Sequence, residues 1–364
     1  MKKYFYDVED DLKKYPEAII YIILGGRNTG KTFSTLKYHY ENDKRFIFIK
    51  RTIEDIKLLL ASDKYESIGK EQVDLSPFKS INREYGYNVG AYDIDKTNGI
   101  GAFYNRGEEG EAVGNIVGYL LALSAVYKFK GFDLSDVESI IFDEFIPNKW
   151  ERVRRDEGTQ LLELYKTVSR AREHKGLDPL KLICLANSTD IACPIIQEFE
   201  LINDIAEMEV NQEEYLYIEE RRILIHKIKD SKEFYDTEAQ SPIYKAMAGT
   251  KWVDMALENK FAYNDFSQIS KKKLKNYQCR FYFNYRNQYY YCYYNEDNNH
   301  YYINQIRDNK CEKFYDLDIE IDQGRFFLEQ IIDLKNETLE GNATYSAYGV
   351  YDLVMNYKRI YKIS

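Results

Sequence analysis

The chain has 364 residues, 44% apolar and 30% charged, and its 51 Lys and Arg stand against 60 Asp and Glu for a formal net charge of -9. That length allows two domains and a sizeable core, while the acidic balance excludes a protein that grips nucleic acid through overall basicity but not one with a local basic surface. No apolar run approaches the ~20 residues of a membrane span, and five scattered Cys with 4 His give neither a zinc site nor a disulfide framework, so a reducing cytoplasm is expected.

In chain order, Ala18 to Leu24 is a continuous apolar run followed by a glycine-rich turn, and Phe33 to Asn42 has the pattern of a helix. Arg45 to Ile49 reads as a second strand, and Ile81 to Gly118, rich in Gly and Asn, as strand fragments and loops. Val137 to Phe142 and Leu180 to Ala186 are further apolar runs, and unbroken runs of this kind predict strands covered on both faces, as in a parallel sheet. Between them, Leu161, Leu162, Leu164, Tyr165 and Val168 give Gly158 to His174 a helical period. Tyr215 to Lys229 predicts a strand pair closing the sheet, and Thr237 to Lys260 a largely helical stretch. From Tyr277 to Tyr302 the chain is dense in aromatics between polar turn clusters, which predicts an antiparallel meander with helices at Gln323 to Leu334 and Ala347 to Tyr361 packed on it. The expected organisation is α/β over 1–228 with a mainly parallel sheet, a helical linker over 229–270, and a small α+β domain over 271–364.

Three strand ends carry chemistry. Gly25-Gly26-Arg27-Asn28-Thr29-Gly30-Lys31-Thr32 fits the phosphate-binding loop G-x-x-x-x-G-K-[ST], with an apolar strand before it and a helix after it. Its backbone N–H groups would curl round the phosphates of ATP, Lys31 would reach the β- and γ-phosphates, and Thr32 would hold Mg²⁺. Ser139 to Glu144 is an apolar strand ending in two acids. Asp143 would bind the Mg²⁺ shell as a Walker-B acid does, and Glu144 would polarise the attacking water. The pair, with a strand intervening between the two motifs, marks the additional-strand, catalytic-glutamate class of P-loop ATPase. No Asn/Thr-Lys-x-Asp supports guanine specificity. Asn187 ends the third strand, expected next to the P-loop strand, where it either contacts the γ-phosphate or caps the strand.

Other charges carry two readings each. Arg170, with Arg172 as the alternative, closes the amphipathic helix and is either a finger offered to a neighbour's γ-phosphate or one of the cations a helix C-terminus favours anyway. Lys271, Lys272, Lys273 and Lys275 form the densest basic run, either a contact to nucleic-acid phosphates or a solvated face. The tyrosines beside it either stack on bases or fill the sheet.

Gly-Gly-Arg-x-x-Gly-Lys-Thr, Ile140–Ile146, Ile183–Asn187, and Leu161-Leu162-Glu163-Leu164 leading to Thr167-Val168-x-Arg170 together resemble the DNA-packaging ATPases of small tailed phages of the phi-29 type. The resemblance covers the first 190 residues well and is fainter beyond residue 230. It implies an ATP-driven motor, a homo-oligomeric ring of five subunits, that pumps double-stranded DNA into a prohead while docked on a portal (connector) protein and a packaging RNA. It further implies a location in the host cytoplasm and transiently on the prohead, with no membrane and no place in the mature virion. In related terminases the last domain is an RNase H-like nuclease, which needs carboxylates on its first strand. Cys279 to Tyr294 contains none, so a non-cleaving domain is expected. The alternatives are an assembly ATPase without translocation and a full terminase with nuclease activity.

Overall fold

The first strand shows why the sheet forms. Ile20–Gly25 (β1) is β-branched and aliphatic almost throughout, and every residue after Ile20 is buried, as expected where helices cover both faces. The computed structural model describes residues 5–60, 75–129, 133–148, 151, 153–170, 172–187, 190–229, 240–250 and 266–361. They group into two compact units, one of residues 1–199 and 212–263, the other of 200–211 and 264–364.

In the first unit, helix α1 (Val8–Lys14) precedes β1, and α2 (Lys31–Glu41) follows it. Next come β2 (Phe46–Lys50), α3 (Ile53–Leu60), α4 (Lys79–Tyr85), β3 (Val89–Asp95), β4 (Ile100–Arg106) and β5 (Ala112–Ala122). Then β6 (Ser139–Asp143), α5 (Glu157–Val168), β7 (Lys181–Asn187) and α6 (Pro194–Glu198) lead on, and β8 (Tyr215–Ile218) and β9 (Ile223–Lys227) close the unit's sheet. The order is β3-β4-β5-β2-β6-β7-β1-β9-β8. Strands β5, β2, β6, β7, β1 and β9 run parallel, and antiparallel partners flank them at both edges. The three strands with polar ends are therefore neighbours, with β7 between β1 and β6.

The region 81–118 is more regular than its composition predicts: one short helix and a three-stranded antiparallel edge. Its glycines divide: Gly86, Gly110 and Gly114 take left-handed turns at φ +74°, +86° and +75°, whereas a Cβ on Gly118 would lie 2.6 Å from the ring of Phe46 on the paired strand. The expected helix over Gly158 to His174 ends at Val168. Of the helical stretch over Thr237 to Lys260, only α8 (Pro242–Ala246) is seen; the rest lies outside the described residues apart from the short flanks of α8, as does most of the linker expected over 229–270.

The second unit holds β10 (Gln278–Tyr285), β11 (Gln288–Asn295), β12 (His300–Asn304), β13 (Phe314–Asp316) and β14 (Ala343–Tyr345) in the order β13-β10-β11-β12-β14. The first three form the expected meander, and β13 and β14 add in parallel to β10 and β12. Helix α9 (Glu320–Phe326) passes through a π-helical turn (Phe327–Ile331) into α10 (Ile332–Leu339), followed by α11 (Tyr348–Met355) and α12 (Tyr357–Tyr361). Phe281, Phe283, Tyr290, Tyr315, Phe326, Tyr345 and Tyr357 are buried together. The buried hydroxyls find partners, as buried tyrosines require: Tyr315 donates to Glu329 at 2.7 Å and Tyr357 to the Gln323 carbonyl at 3.0 Å. Contacts divide the chain differently from a boundary at residue 228. Glu200–Asn211, which contains α7 (Ile202–Asn211), groups with the second unit, where the Gly349 N–H donates to Asn203 Oδ1 at 2.8 Å.

Candidate functional site

Parallel strands bring their C-terminal ends to one edge of a sheet. At that edge of the first unit a cavity of about 430 Å³ is lined by residues 27–33, Asp143, Glu144, Ile146, Asn148 and 185–187. Gly30, at φ +88°, makes the left-handed turn that feeds the loop into α2. The loop and the first turn of α2 supply the backbone N–H groups that make such a terminus an anion site. Lys31 Nζ lies 2.7 Å from the Gly26 carbonyl, 3.1 Å from Thr29 Oγ1 and 3.4 Å from Asn187 Oδ1. One ammonium thus connects the loop to the end of the neighbouring strand. Arg27 and Asn28 are exposed at the mouth.

The acidic strand end meets the loop. Thr32 Oγ1 donates to Asp143 Oδ1 at 2.7 Å, so a hydroxyl and a carboxylate oxygen of the kind that bind Mg²⁺ already face each other. The donor set fits that ion. Glu144, whose side chain is two-thirds exposed, sits at φ +58°, a left-handed conformation unusual for a non-glycine residue. Its turn is fixed from two sides. The Phe145 N–H donates to the Leu185 carbonyl at 3.1 Å, and Arg51 donates to the carbonyls of Glu144 and Phe145 at 3.2 and 2.8 Å.

Two basic residues at the end of β2 escaped the sequence reading. Lys50 pairs with Asp143 Oδ2 at 2.8 Å and with Glu144 Oε2 at 3.1 Å, offsetting the repulsion between the two acids. Burial pulls its pKa down, but the two carboxylates outweigh burial and leave it above the usual lysine range. Arg51 also reaches Glu157 at 2.6 Å and Glu151 at 3.0 Å. Burial pushes the Glu157 carboxyl up against the opposing pull of Arg51. The available signal was a strand followed by Lys-Arg, but its meaning depends on β2 being the neighbour of β6.

The structure gathers Lys31, Thr32, Asp143, Glu144 and Asn187 but not Arg170. Helix α5 starts beside Arg51 and runs twelve residues back along the sheet, about 18 Å at 1.5 Å per residue. Arg170 is exposed just past its end. Arg172 cannot stand in for it. Only 5% exposed, Arg172 donates to the carbonyls of Asp178, Ser135 and Val137 at 2.9, 3.2 and 2.6 Å. Its role is to tie the turn after α5 to the approach to β6.

The basic run splits likewise. Lys271 is exposed and pairs with Glu207 at 3.2 Å. Lys272 sits 3.1 Å from His300 Nε2, and its N–H donates to the Tyr302 hydroxyl at 3.1 Å. Lys273 and Lys275 are exposed. Nearby carboxylates do approach the first strand of this sheet, though from elsewhere in the sequence. Asn284 on β10 donates through Nδ2 to Asp316 at 3.2 Å and to Asp318 at 3.0 Å.

A family model described as podovirus DNA encapsidation protein (Gp16) matches residues 93–335. The chain belongs to that family. The match takes in Asp143, Glu144, Arg170 and Asn187 and starts after the glycine loop. A protein of Bacillus phage B103 named DNA packaging protein is 27% identical over 270 residues, 71% of this chain and 69% of that one. Among solved structures, the phi-29 viral genome packaging motor assembly aligns with a TM-score of 0.62 at 18% identity over 98% of this chain and 99% of the matched chain. The Phi-28 gp11 DNA packaging motor aligns at 0.56 and 18% identity over 99% and 98%. These likenesses bear on the fold. Among the described residues no helix is long and apolar enough to cross a membrane.

Proposed function

We propose that this chain is the ATP-hydrolysing subunit of a ring motor that drives double-stranded DNA into a viral prohead. The observation that carries the reading is the meeting of Lys31, Thr32, Asp143, Glu144 and Asn187 at one edge of a parallel sheet, in a member of the Gp16 family. The first unit is read as a P-loop ATPase of the catalytic-glutamate class, since β7 lies between the loop strand and the acidic strand. The loop amides and Lys31 bind the phosphates. Thr32 and Asp143 hold Mg²⁺, which when bound supplies charge neutralisation at the transferring phosphoryl group. Glu144 orients a water and accepts its proton, an exposed carboxylate on a fixed turn being suited to that task. Asn187 touches Lys31 and so lies where the γ-phosphate end of ATP would be felt.

Arg170 acts in trans. It is a helix length away from its own subunit's loop, so a neighbour in the ring is the site it can complete. The second unit is read as RNase H-like and non-cleaving. Its strand order, a meander with a parallel strand beside the first, supports the likeness, and the amide of Asn284 occupies the carboxylates that approach β10. Lys273 and Lys275 are its best-placed phosphate contacts, to DNA or to a packaging RNA, with the portal protein as a further partner. A ring of five, the host cytoplasm and transient residence on the prohead complete the proposal. The test is the ATPase rate of the purified protein with and without duplex DNA. Stimulation by DNA is expected, and turnover indifferent to DNA would favour an assembly ATPase instead.

A further inference from the structure

The loop, Lys31, Thr32, Asp143, Glu144 and Asn187 account for the triphosphate end of a nucleotide, and nothing assigned so far meets its base. Phe33 directly follows Thr32 on the first turn of α2, is half-buried, and lines the same cavity. Among the described residues it is the only aromatic side chain that does so. Its ring is backed by Tyr85 at a centroid distance of 6.2 Å and 47°, and Tyr85 stacks on Tyr87 at 5.7 Å and 22°. The Lys37 ammonium lies 4.8 Å from the Tyr85 centroid. The ring is therefore supported from behind by an ordered aromatic row rather than hanging free.

Donors and acceptors that could read a base edge are few. Asn148 donates through Nδ2 to Glu151 at 3.1 Å, Ile146 is apolar, and Arg27 and Asn28 belong to the loop that surrounds the phosphates. Phe33 is thus the aromatic side chain that the cavity lining has to meet a base, and stacking on an aromatic ring accepts every base.

We infer that Phe33 is the base platform of the nucleotide site, stacking on the purine of a nucleoside triphosphate and discriminating little between adenine and guanine. This inference rests on the ATP-site reading above and deepens it. Stacking on one aromatic ring changes affinity by about five- to 150-fold when the ring is removed.

The experiment measures equilibrium binding of ATP, GTP and inorganic tripolyphosphate, each with Mg²⁺, by calorimetry on the full chain. Wild type should bind ATP and GTP within about tenfold of each other. Phe33→Ala should lose at least about fivefold for both nucleotides and leave tripolyphosphate affinity unchanged, which also reports an intact loop. Phe33→Trp should retain both nucleotides. Phe33→Leu keeps the apolar packing on Tyr85 without a π-face, and should behave as Phe33→Ala does; it stands in if the alanine variant does not fold. A wild type that binds neither ATP nor tripolyphosphate overturns the ATP-site reading itself. A wild type that binds both, with Phe33→Ala weakening ATP and tripolyphosphate equally or not at all, overturns the platform alone. So does an ATP preference over GTP beyond about 100-fold that persists in Phe33→Ala.

Discussion

The two sheets solve opposite problems with opposite residues. The first unit fills its parallel strands with Ile, Leu and Phe and brings Lys50, Asp143 and Asn187 to the one edge where strand C-termini meet. The second builds its antiparallel meander and the elements packed on it with many tyrosines, and hydroxyls such as those of Tyr293, Tyr315 and Tyr357 are answered one at a time by helices and loops. A parallel sheet concentrates chemistry because every strand ends on the same side. A meander alternates its ends, so polar groups are dispersed and serve packing. Aromatic rings are architecture in both units, at Phe46, Phe48 and Phe142 in the first and Phe281, Phe283 and Tyr345 in the second, and Phe33 is the ring proposed for binding.

The comparison is broken most directly at the strand edge. Glu144→Gln should bind ATP but lose about 10²–10⁴-fold in turnover; steady-state hydrolysis within about threefold of wild type would remove Glu144 from the chemistry. Arg170→Ala should bind nucleotide normally and lose up to about 10³-fold in the assembled ring. Mixing it with Glu144→Gln should restore part of the activity, because some interfaces then pair an intact acid with an intact arginine. Co-assembly with no recovery would refute a trans finger. Arg172→Ala sharpens the contrast two residues on, since it leaves buried carbonyls without their donor. It should cost stability, about 1–3 kcal/mol, read as a lowered denaturation midpoint, and not act through a neighbour's site.

Smaller effects test the second unit. Lys273→Ala with Lys275→Ala should weaken binding to duplex DNA or RNA uniformly and reduce the salt dependence by up to about two phosphate contacts. An unchanged salt slope would show that the run is a solvated face. Tyr315→Phe, which removes one hydroxyl from Glu329, should cost only about 0.5–1.5 kcal/mol by chemical denaturation. A much larger loss would mean that the tyrosine network is cooperative.

The legible parts were those whose neighbours in sequence are also neighbours in function. The loop, Lys31 and Thr32 form one contiguous stretch, and Asp143 with Glu144 announces itself as an apolar strand ending in acid. Lys50 and Arg51 were not legible, because their partners lie 93 to 106 residues away and depend on β2 being placed beside β6. Arg170 and Arg172 look alike in sequence, yet one is exposed and the other is locked onto three carbonyls. Burial at that turn is decided by the approach to β6, which no local pattern records. Gly118 suggested a loop because the aromatic ring that needs its space, Phe46, is distant in sequence. Asn284 concealed the acids near the second sheet in the same way, since they arrive on β13 and the turn after it.

The left-handed backbone of Glu144 has a consequence for any attempt to improve this protein by selection. A non-glycine residue in that region costs on the order of 1 kcal/mol or more, held in place here by Arg51 and by the Leu185 carbonyl. Glycine or asparagine would relieve it. A library screened for heat tolerance alone would therefore be drawn toward Gly or Asn at position 144, and if Glu144 is the proposed base its hardiest survivors would be the ones with least turnover.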